Sequence, residues 1–356
     1  MPSAYQIHGK TQYAWQTGDG VKNLRLNTSI PKPTDIPKDH VLVHIKAASL
    51  AARDLMVMAH DPAYPGPHAD DLTPGSDCAG IIEEVGEGST AWKAGDRVIV
   101  NSGSWPNWSY DSAGPLPDFN TIAAKGAVGV QGTLREYGVF AAADLIRAPD
   151  YLTFEELATI PNAYGTAAHA LFFGPRVLKR GQIVLAQGTG GVSCAAIQLA
   201  AAVGATVIAT SSSDAKLEQA KELGATHTVN YTLHPSWADE VLRLTDGVGV
   251  DMLIELGGSS TIAQSLQATK VGGIVSLVGF LFDSAPSDIV KDVIFGGKTV
   301  YGVRVFTREM VEFAVGVLGE KRLKPVVGRV FGWRDGEAAG REVVGSAGVG
   351  RVVVRV

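Results

Sequence analysis

Gln187-Gly188-Thr189-Gly190-Gly191-Val192-Ser193 lies between an apolar run, residues 183–186, and an alanine-rich segment of helix length. A strand, a glycine turn and a helix start, in that order, can hold a dinucleotide pyrophosphate. Glycine lets the backbone turn sharply and brings peptide N–H groups close to the phosphates, while the helix N-terminus adds unpaired donors and partial positive charge. Gly188 and Gly190 fit the G-x-G-x-x-G spacing, and Ser193 takes the third position with a side chain small enough for helix–strand packing. About 20 residues further on, a diphosphopyridine site usually carries an acid for the ribose 2′-hydroxyl. Here Ser211-Ser212-Ser213 stands there, followed by Asp214 and Lys216. Three hydroxyls can donate to a 2′-phosphate and an ammonium can neutralise it, so the pattern favours NADP(H). Asp214 is the objection: as a first-turn helix acid it needs no ligand, but facing the ribose it would favour NADH.

Other candidates are weaker. Trp105 and Trp108 sit in a Pro-, Asn-, Ser- and Gly-rich stretch from about 101 to 131, either closing that loop or lining an apolar substrate mouth. Tyr64 lies in Pro62-Ala63-Tyr64-Pro65-Gly66-Pro67, as a turn residue or a cleft residue, with His60 and His68 in the same segment. The two histidines read as isolated surface residues rather than a metal pair. Arg53-Asp54 reads as a structural ion pair near the site. Arg351, at the start of a C-terminal alternating run, either reaches the cofactor cleft or is a solvated strand-end charge.

The elements that position these groups change character along the chain. The first half holds short apolar runs between turn signals, such as residues 41–45 and 97–100, and so predicts β-structure. From about residue 181, strands at 183–186, 206–209, 228–230, 251–255 and 274–278 alternate with helices at 192–203, 215–223, 237–245 and 261–269. That rhythm predicts a parallel sheet covered by helices on both faces. The run from Gly350 to Val356 predicts a last strand returning to the first half.

Composition sets the outer bounds. The 356 residues suit about two domains. With 46% hydrophobic and 19% charged residues the chain can bury sizeable cores. A net charge of −5 argues against general nucleic-acid binding. The stretch from Arg180 to Asp214 lacks ionisable charge, but Gln and Gly residues interrupt it, so it reads as a buried β-α-β unit and not a membrane span. Two cysteines, Cys78 and Cys194, supply neither a Cys-rich zinc site nor a disulfide framework. A reduced, cytoplasmic protein is expected, with no apolar leader in the first residues.

Pro74-Gly75-Ser76-Asp77-Cys78-Ala79-Gly80, Gly95-Asp96-Arg97-Val98, Ala158-Thr159-Ile160-Pro161-Asn162-Ala163-Tyr164-Gly165-Thr166-Ala167, the Gly188 turn and Val229-Asn230-Tyr231 occur in one order. Together they resemble the medium-chain dehydrogenase/reductase superfamily, and most of all its zinc-free quinone oxidoreductase and enoyl reductase branch. The resemblance implies an α/β architecture: a Rossmann doubly wound parallel sheet, residues 151–304, and a GroES-like β-barrel catalytic domain, residues 1–150 completed by about 305–356. It implies Thr166 at the nicotinamide carboxamide, Tyr231 near the adenosine, and Gly257, Phe280 and Leu281 along the cofactor groove, beside Gly188, Thr189, Gly190, Gly191 and Val192. The positions that hold catalytic zinc in related alcohol dehydrogenases are Ala51, Ser76 (then Asp77) and Asn162 here, which are poor or impossible ligands. An Asn-Tyr pair usual in quinone oxidoreductases is Ala51-Ala52, which widens the pocket expected around Ala52, Tyr64, Trp105 and Asn162.

The expected activity is therefore NADPH-dependent, zinc-free reduction of an α,β-unsaturated carbonyl or a quinone by hydride transfer, with no catalytic acid named. The alternatives are a zinc-free alcohol or carbonyl dehydrogenase, and a cofactor-binding protein with little turnover. A homodimer acting on a small-molecule substrate is expected, since residues 273–281 and 298–303 resemble the family's dimer-forming sheet edge.

Overall fold

A computed structural model describes residues 1–64, 66–103, 124–280, 286–304, 306–345 and 348–356. Trp105, Trp108 and Leu281 lie outside the described residues. The chain starts with an antiparallel pair, β1 (Ala4–Ile7) and β2 (Leu24–Asn27). β3 (His40–Leu50) is followed by a short helix α1 (Ala52–Met58), then β4 (Asp77–Val85), β5 (Arg97–Val100), β6 (Tyr137–Ala141) and β7 (Leu145–Arg147). α2 (Phe154–Ala158) begins with a capping box: Thr153 Oγ1 accepts from Glu156 N–H at 3.2 Å and Glu156 Oε2 accepts from Thr153 N–H at 2.8 Å. α3 (Ile160–Phe172) leads into the alternating part.

There β8 (Ile183–Gln187), α4 (Gly191–Ala202), β9 (Thr206–Ser211), α5 (Asp214–Glu222), β10 (His227–Asn230), α6 (Trp237–Leu244), β11 (Val250–Glu255), α7 (Ile262–Ala268), β12 (Thr269–Leu277), α8 (Val290–Gly296) and β13 (Thr299–Gly302) follow in turn. The six strands form one parallel sheet in the order β10-β9-β8-β11-β12-β13, the doubly wound arrangement. Its order reverses between β8 and β11, and ligands bind such sheets at the carboxyl ends of the strands beside that reversal. The expected elements agree within a residue or two, except at β12. Thr269 already pairs with Val250, and the register slips before Ile274 meets Met252. Lys270-Val271-Gly272-Gly273 reads as a turn in the sequence, which hides this early start.

The chain closes with α9 (Arg308–Lys321), β14 (Val327–Gly332), α10 (Gly336–Gly345) and β15 (Arg351–Arg355). β15 pairs antiparallel with β3 and parallel with β14, so the last strand does return to the first half. The seven-stranded sheet β14-β15-β3-β4-β5-β7, with β6 also on β3, is the GroES-like part. α9 instead buries Met310, Val311, Ala314 and Leu318 in a core shared with α3 and α4. That same core takes in Ile99, Ile146 and Val353 from the GroES-like sheet. The two sheets are thus joined by continuous apolar packing.

Candidate active site

A cleft of about 500 Å³ opens between the sheets. The start of α1 contributes Ala51, Ala52 and Arg53, and Tyr64 and Ser76 follow from the same half. α3 contributes Asn162 and Thr166; the turn into α4 contributes Gly190, Gly191 and Val192. Gly279, Phe280 and Val303 come from beyond the carboxyl ends of β12 and β13, and Arg351 from β15. Of the residues singled out in the sequence, Ala52, Tyr64, Asn162, Thr166, Gly190, Gly191, Val192, Phe280 and Arg351 meet here. Ser211, Ser212, Ser213, Lys216 and Tyr231 lie farther along the sheet, at the ends of β9 and β10.

The glycine turn has three different reasons for its glycines. Gly188 has φ +71°, a left-handed conformation that a side chain would strain. A Cβ on Gly190 would meet no protein atom within 4 Å, so this face is open. A Cβ on Gly191 would lie 2.2 Å from Arg351 Cδ. Gly191 is therefore needed by the protein itself, a constraint that a phosphate-binding motif does not reveal. Ser193 Oγ donates to Gln187 O at 2.6 Å, tying α4 to β8. No side chain caps α4, whose first turn lines the cleft. These features fit a dinucleotide: a helix N-terminus without a side-chain cap, with room in front of Gly190.

Arg351 is buried, which overturns its reading as a solvated strand-end charge. Its Nη2 donates to Asp77 Oδ2 at 2.7 Å and its Nε to Ser49 Oγ at 3.1 Å. Asp77 also accepts from Ser76 Oγ at 3.1 Å, from Ser102 Oγ, and from Asn162 N–H at 3.3 Å. Burial pushes the Asp77 carboxyl above its ordinary range, and the Arg351 guanidinium opposes that rise. Next to Arg351, Gly350 N–H donates to Thr189 O at 3.0 Å. The C-terminal strand is thus fastened to the glycine turn.

Also on the cleft lining, Arg53 Nη1 donates to Asp54 Oδ1 and to Lys125 O, both at 2.9 Å, and its Nη2 donates to Tyr64 Oη at 3.0 Å. Asp54 Oδ2 accepts from Ala51 N–H at 2.8 Å and so caps α1. Arg53 and Asp54 do form an ion pair, and Arg53 also bonds a tyrosine at the cleft wall. His60 and His68 are not isolated surface residues. Their rings lie 6.0 Å apart behind Tyr64, in a second cavity that Tyr64 also lines. His60 Nε2 bonds Gly9 O at 2.9 Å, and His68 Nδ1 accepts from Val128 N–H at 3.1 Å. Burial first, then the neighbouring His60 and Arg53, push His68 down to about 4. A neutral His68 in that bond carries its proton on Nε2, which leaves that nitrogen no lone pair for a metal.

Ala51, Ser76 and Asn162 line the same cleft, but a methyl, a hydroxyl and an amide do not make a zinc site, and the neighbouring carboxylate of Asp77 is committed to Arg351. The residues present do not fit that metal. Burial also pushes the thiols of Cys78 and Cys194 up to about 12, so neither is a thiolate nucleophile.

Sequence reasoning missed Glu255 and Gln187. Glu255 is buried and accepts from Gly257 N–H at 2.7 Å, Gly258 N–H at 3.0 Å, Thr261 Oγ1 at 2.5 Å, Gln187 Nε2 at 2.8 Å and Ser265 Oγ. Gln187 Oε1 in turn accepts from Leu256 N–H at 2.9 Å. This network fixes the turn carrying Gly257 at the end of β11. Glu255 ends an apolar strand, and that buried polar end was its only signal.

Comparison with known proteins agrees with this geometry. A family model described as the alcohol dehydrogenase GroES-like domain matches residues 37–150, and one described as zinc-binding dehydrogenase matches residues 191–318. A zinc-type alcohol dehydrogenase-like protein of Schizosaccharomyces pombe is 39% identical over 91% of this chain and 93% of its own length. Human quinone oxidoreductase is 27% identical over 94% of each. The crystal structure of an NAD-dependent alcohol dehydrogenase matches with a TM-score of 0.84 and 30% identity, covering 100% of both chains. A nucleotide-binding sheet, a GroES-like sheet and a shared cleft define an oxidoreductase. The chain belongs to the medium-chain dehydrogenase/reductase superfamily. No helix among the described residues is long and apolar enough to cross a membrane.

Proposed function

We propose that this oxidoreductase uses NADPH, works without zinc, and reduces a C=C bond conjugated to a carbonyl, or a quinone. When bound, NADPH supplies a hydride to an acceptor held in the cleft. The residues that would hold it are Gly188–Val192 at the pyrophosphate, Thr166 at the carboxamide, Gly257 and Phe280 along the groove, Tyr231 by the adenosine, and Ser211–Ser213 with Lys216 at the 2′-phosphate. Arg351, which lines the cleft, packs against the turn at Gly191.

The observation that carries the reading is the Arg53–Tyr64 contact on a wall where the zinc positions hold no ligand. A conjugated acceptor spreads the charge that develops on reduction, so it needs less stabilisation than an isolated carbonyl. Tyr64 O–H can deliver the proton. The Arg53 guanidinium stands beside the oxygen that would then hold the charge. Ala52 and Met56 leave room for an apolar body, and Asn162 offers a polar contact.

The second reading, a zinc-free alcohol or carbonyl dehydrogenase, draws on the alcohol dehydrogenase names among the relatives. A spectrophotometric panel separates them. NADPH oxidation with enones or quinones, and little with simple ketones, is expected. The reverse pattern favours the dehydrogenase, tight binding without turnover favours a cofactor-binding protein, and stoichiometric zinc in the pure protein defeats the metal-free mechanism. We also propose a cytoplasmic homodimer; both cysteines are buried and free.

A further inference from the structure

Asp214 follows directly on the proposed 2′-phosphate serines, and its charge opposes that ligand. It begins α5, with Ser213 as its N-cap residue, and it is exposed. Its Oδ1 nevertheless has a specific partner: Asn230 Nδ2, at the end of β10, donates to it at 2.7 Å. Asn230 is itself held in one orientation, because its Oδ1 accepts from Thr232 N–H at 3.0 Å. An acceptor role for that oxygen requires the NH₂ group to face Asp214. Asp214 and Asn230 both line a small cavity of about 240 Å³ on the α5–β10 side, with Leu217 and Leu233. Ser211, Ser212, Ser213, Lys216 and Tyr231 do not line that cavity. The bond to Asn230 thus holds the carboxylate at that cavity, which none of those hydroxyls, nor the ammonium, lines.

We propose that Asn230 is a specificity-positioning residue: by holding the Asp214 carboxylate toward the α5–β10 cavity it keeps a negative charge away from a 2′-phosphate and makes room for NADPH. This rests on the NADPH reading above. Asn230 touches no phosphate in this scheme; it acts through Asp214. Two like charges a few ångströms apart near a protein surface repel strongly enough to change affinity by roughly tenfold or more. A 2′-hydroxyl, in contrast, can donate to a released carboxylate, so NADH has nothing to lose.

Isothermal titration calorimetry of NADPH and of NADH to the full chain tests the idea without any substrate. Asn230→Ala is expected to weaken NADPH by roughly tenfold and to leave NADH unchanged or tighter. Adding Asp214→Asn to Asn230→Ala is expected to restore NADPH, because the repelling charge is gone. Equal loss of both nucleotides without rescue would show that Asn230 merely holds the β10 turn, and would overturn the proposal; so would no change in either. Wild type binding NADH more tightly than NADPH would overturn the cofactor reading instead. The Asn230 proposal is then decided by whether the ratio of the two affinities shifts in Asn230→Ala.

Discussion

The Tyr64 hydroxyl at the cleft wall accepts from one guanidinium. Arg53 spends its other hydrogen bonds on Asp54 and on Lys125 O, so Tyr64 docks on a group that is already fixed. Tyr64→Phe keeps the ring and removes the hydroxyl. Turnover should fall about 100-fold, the usual worth of a positioned general acid, while NADPH affinity by calorimetry stays within about twofold. An unchanged rate would remove Tyr64 from the chemistry. Behind it, His68 makes stability depend on pH. Its folded value of about 4 lies below the ordinary 6.5, so between these values the unfolded chain binds a proton that the native ring refuses. Stability is then full above about 6.5 and declines as pH falls toward 4. Urea midpoints across this window should show the decline, and His68→Gln should flatten it.

The turn between β8 and α4 shows what a motif reveals and what it hides. Spacing alone locates the strand, the turn and the helix start, because these are local properties of glycine and of apolar runs. It does not separate Gly190 from Gly191. Gly190→Ala should leave the melting temperature nearly unchanged and weaken dinucleotide binding, since its Cβ enters open space in front of the helix. Gly191→Ala should lower the melting temperature as well, since its Cβ collides with Arg351 Cδ. Thermal melts with and without NADPH distinguish the two; equal destabilisation would contradict this division. The strand–helix alternation was legible for the same local reason, and β12 was misjudged only where a Gly-Gly pair looks like a turn. The polar partners were not legible. Asp77 and Arg351 stand 274 residues apart, and Gln187 and Glu255 stand 68 apart. Sequence periodicity carries no information about which buried charge finds which partner. His60 and His68 were misread because burial, not spacing, decides their character.

At the scale of the whole molecule, β13 is an edge strand of the parallel sheet, and α8 just before it leaves Val290, Ile294 and Phe295 60%, 66% and 84% exposed. An open strand edge beside apolar side chains suits pairing with a second copy of the chain. Light scattering should give twice the 37.3 kDa chain mass, and Ile294→Asp with Phe295→Asp should reduce it to one chain. A monomeric wild type would refute this face as a dimer contact. The C-terminal strand carries a different consequence. Gly350 and Arg351 fasten the glycine turn and neutralise Asp77, yet they leave the ribosome long after the residues they serve. A nascent chain stalled before Gly350 would present the nucleotide-binding motif with its floor missing and a buried acid uncompensated. Readiness to bind the dinucleotide would thus arrive late in synthesis, and a nucleotide-bound chain would be one whose translation had passed that point.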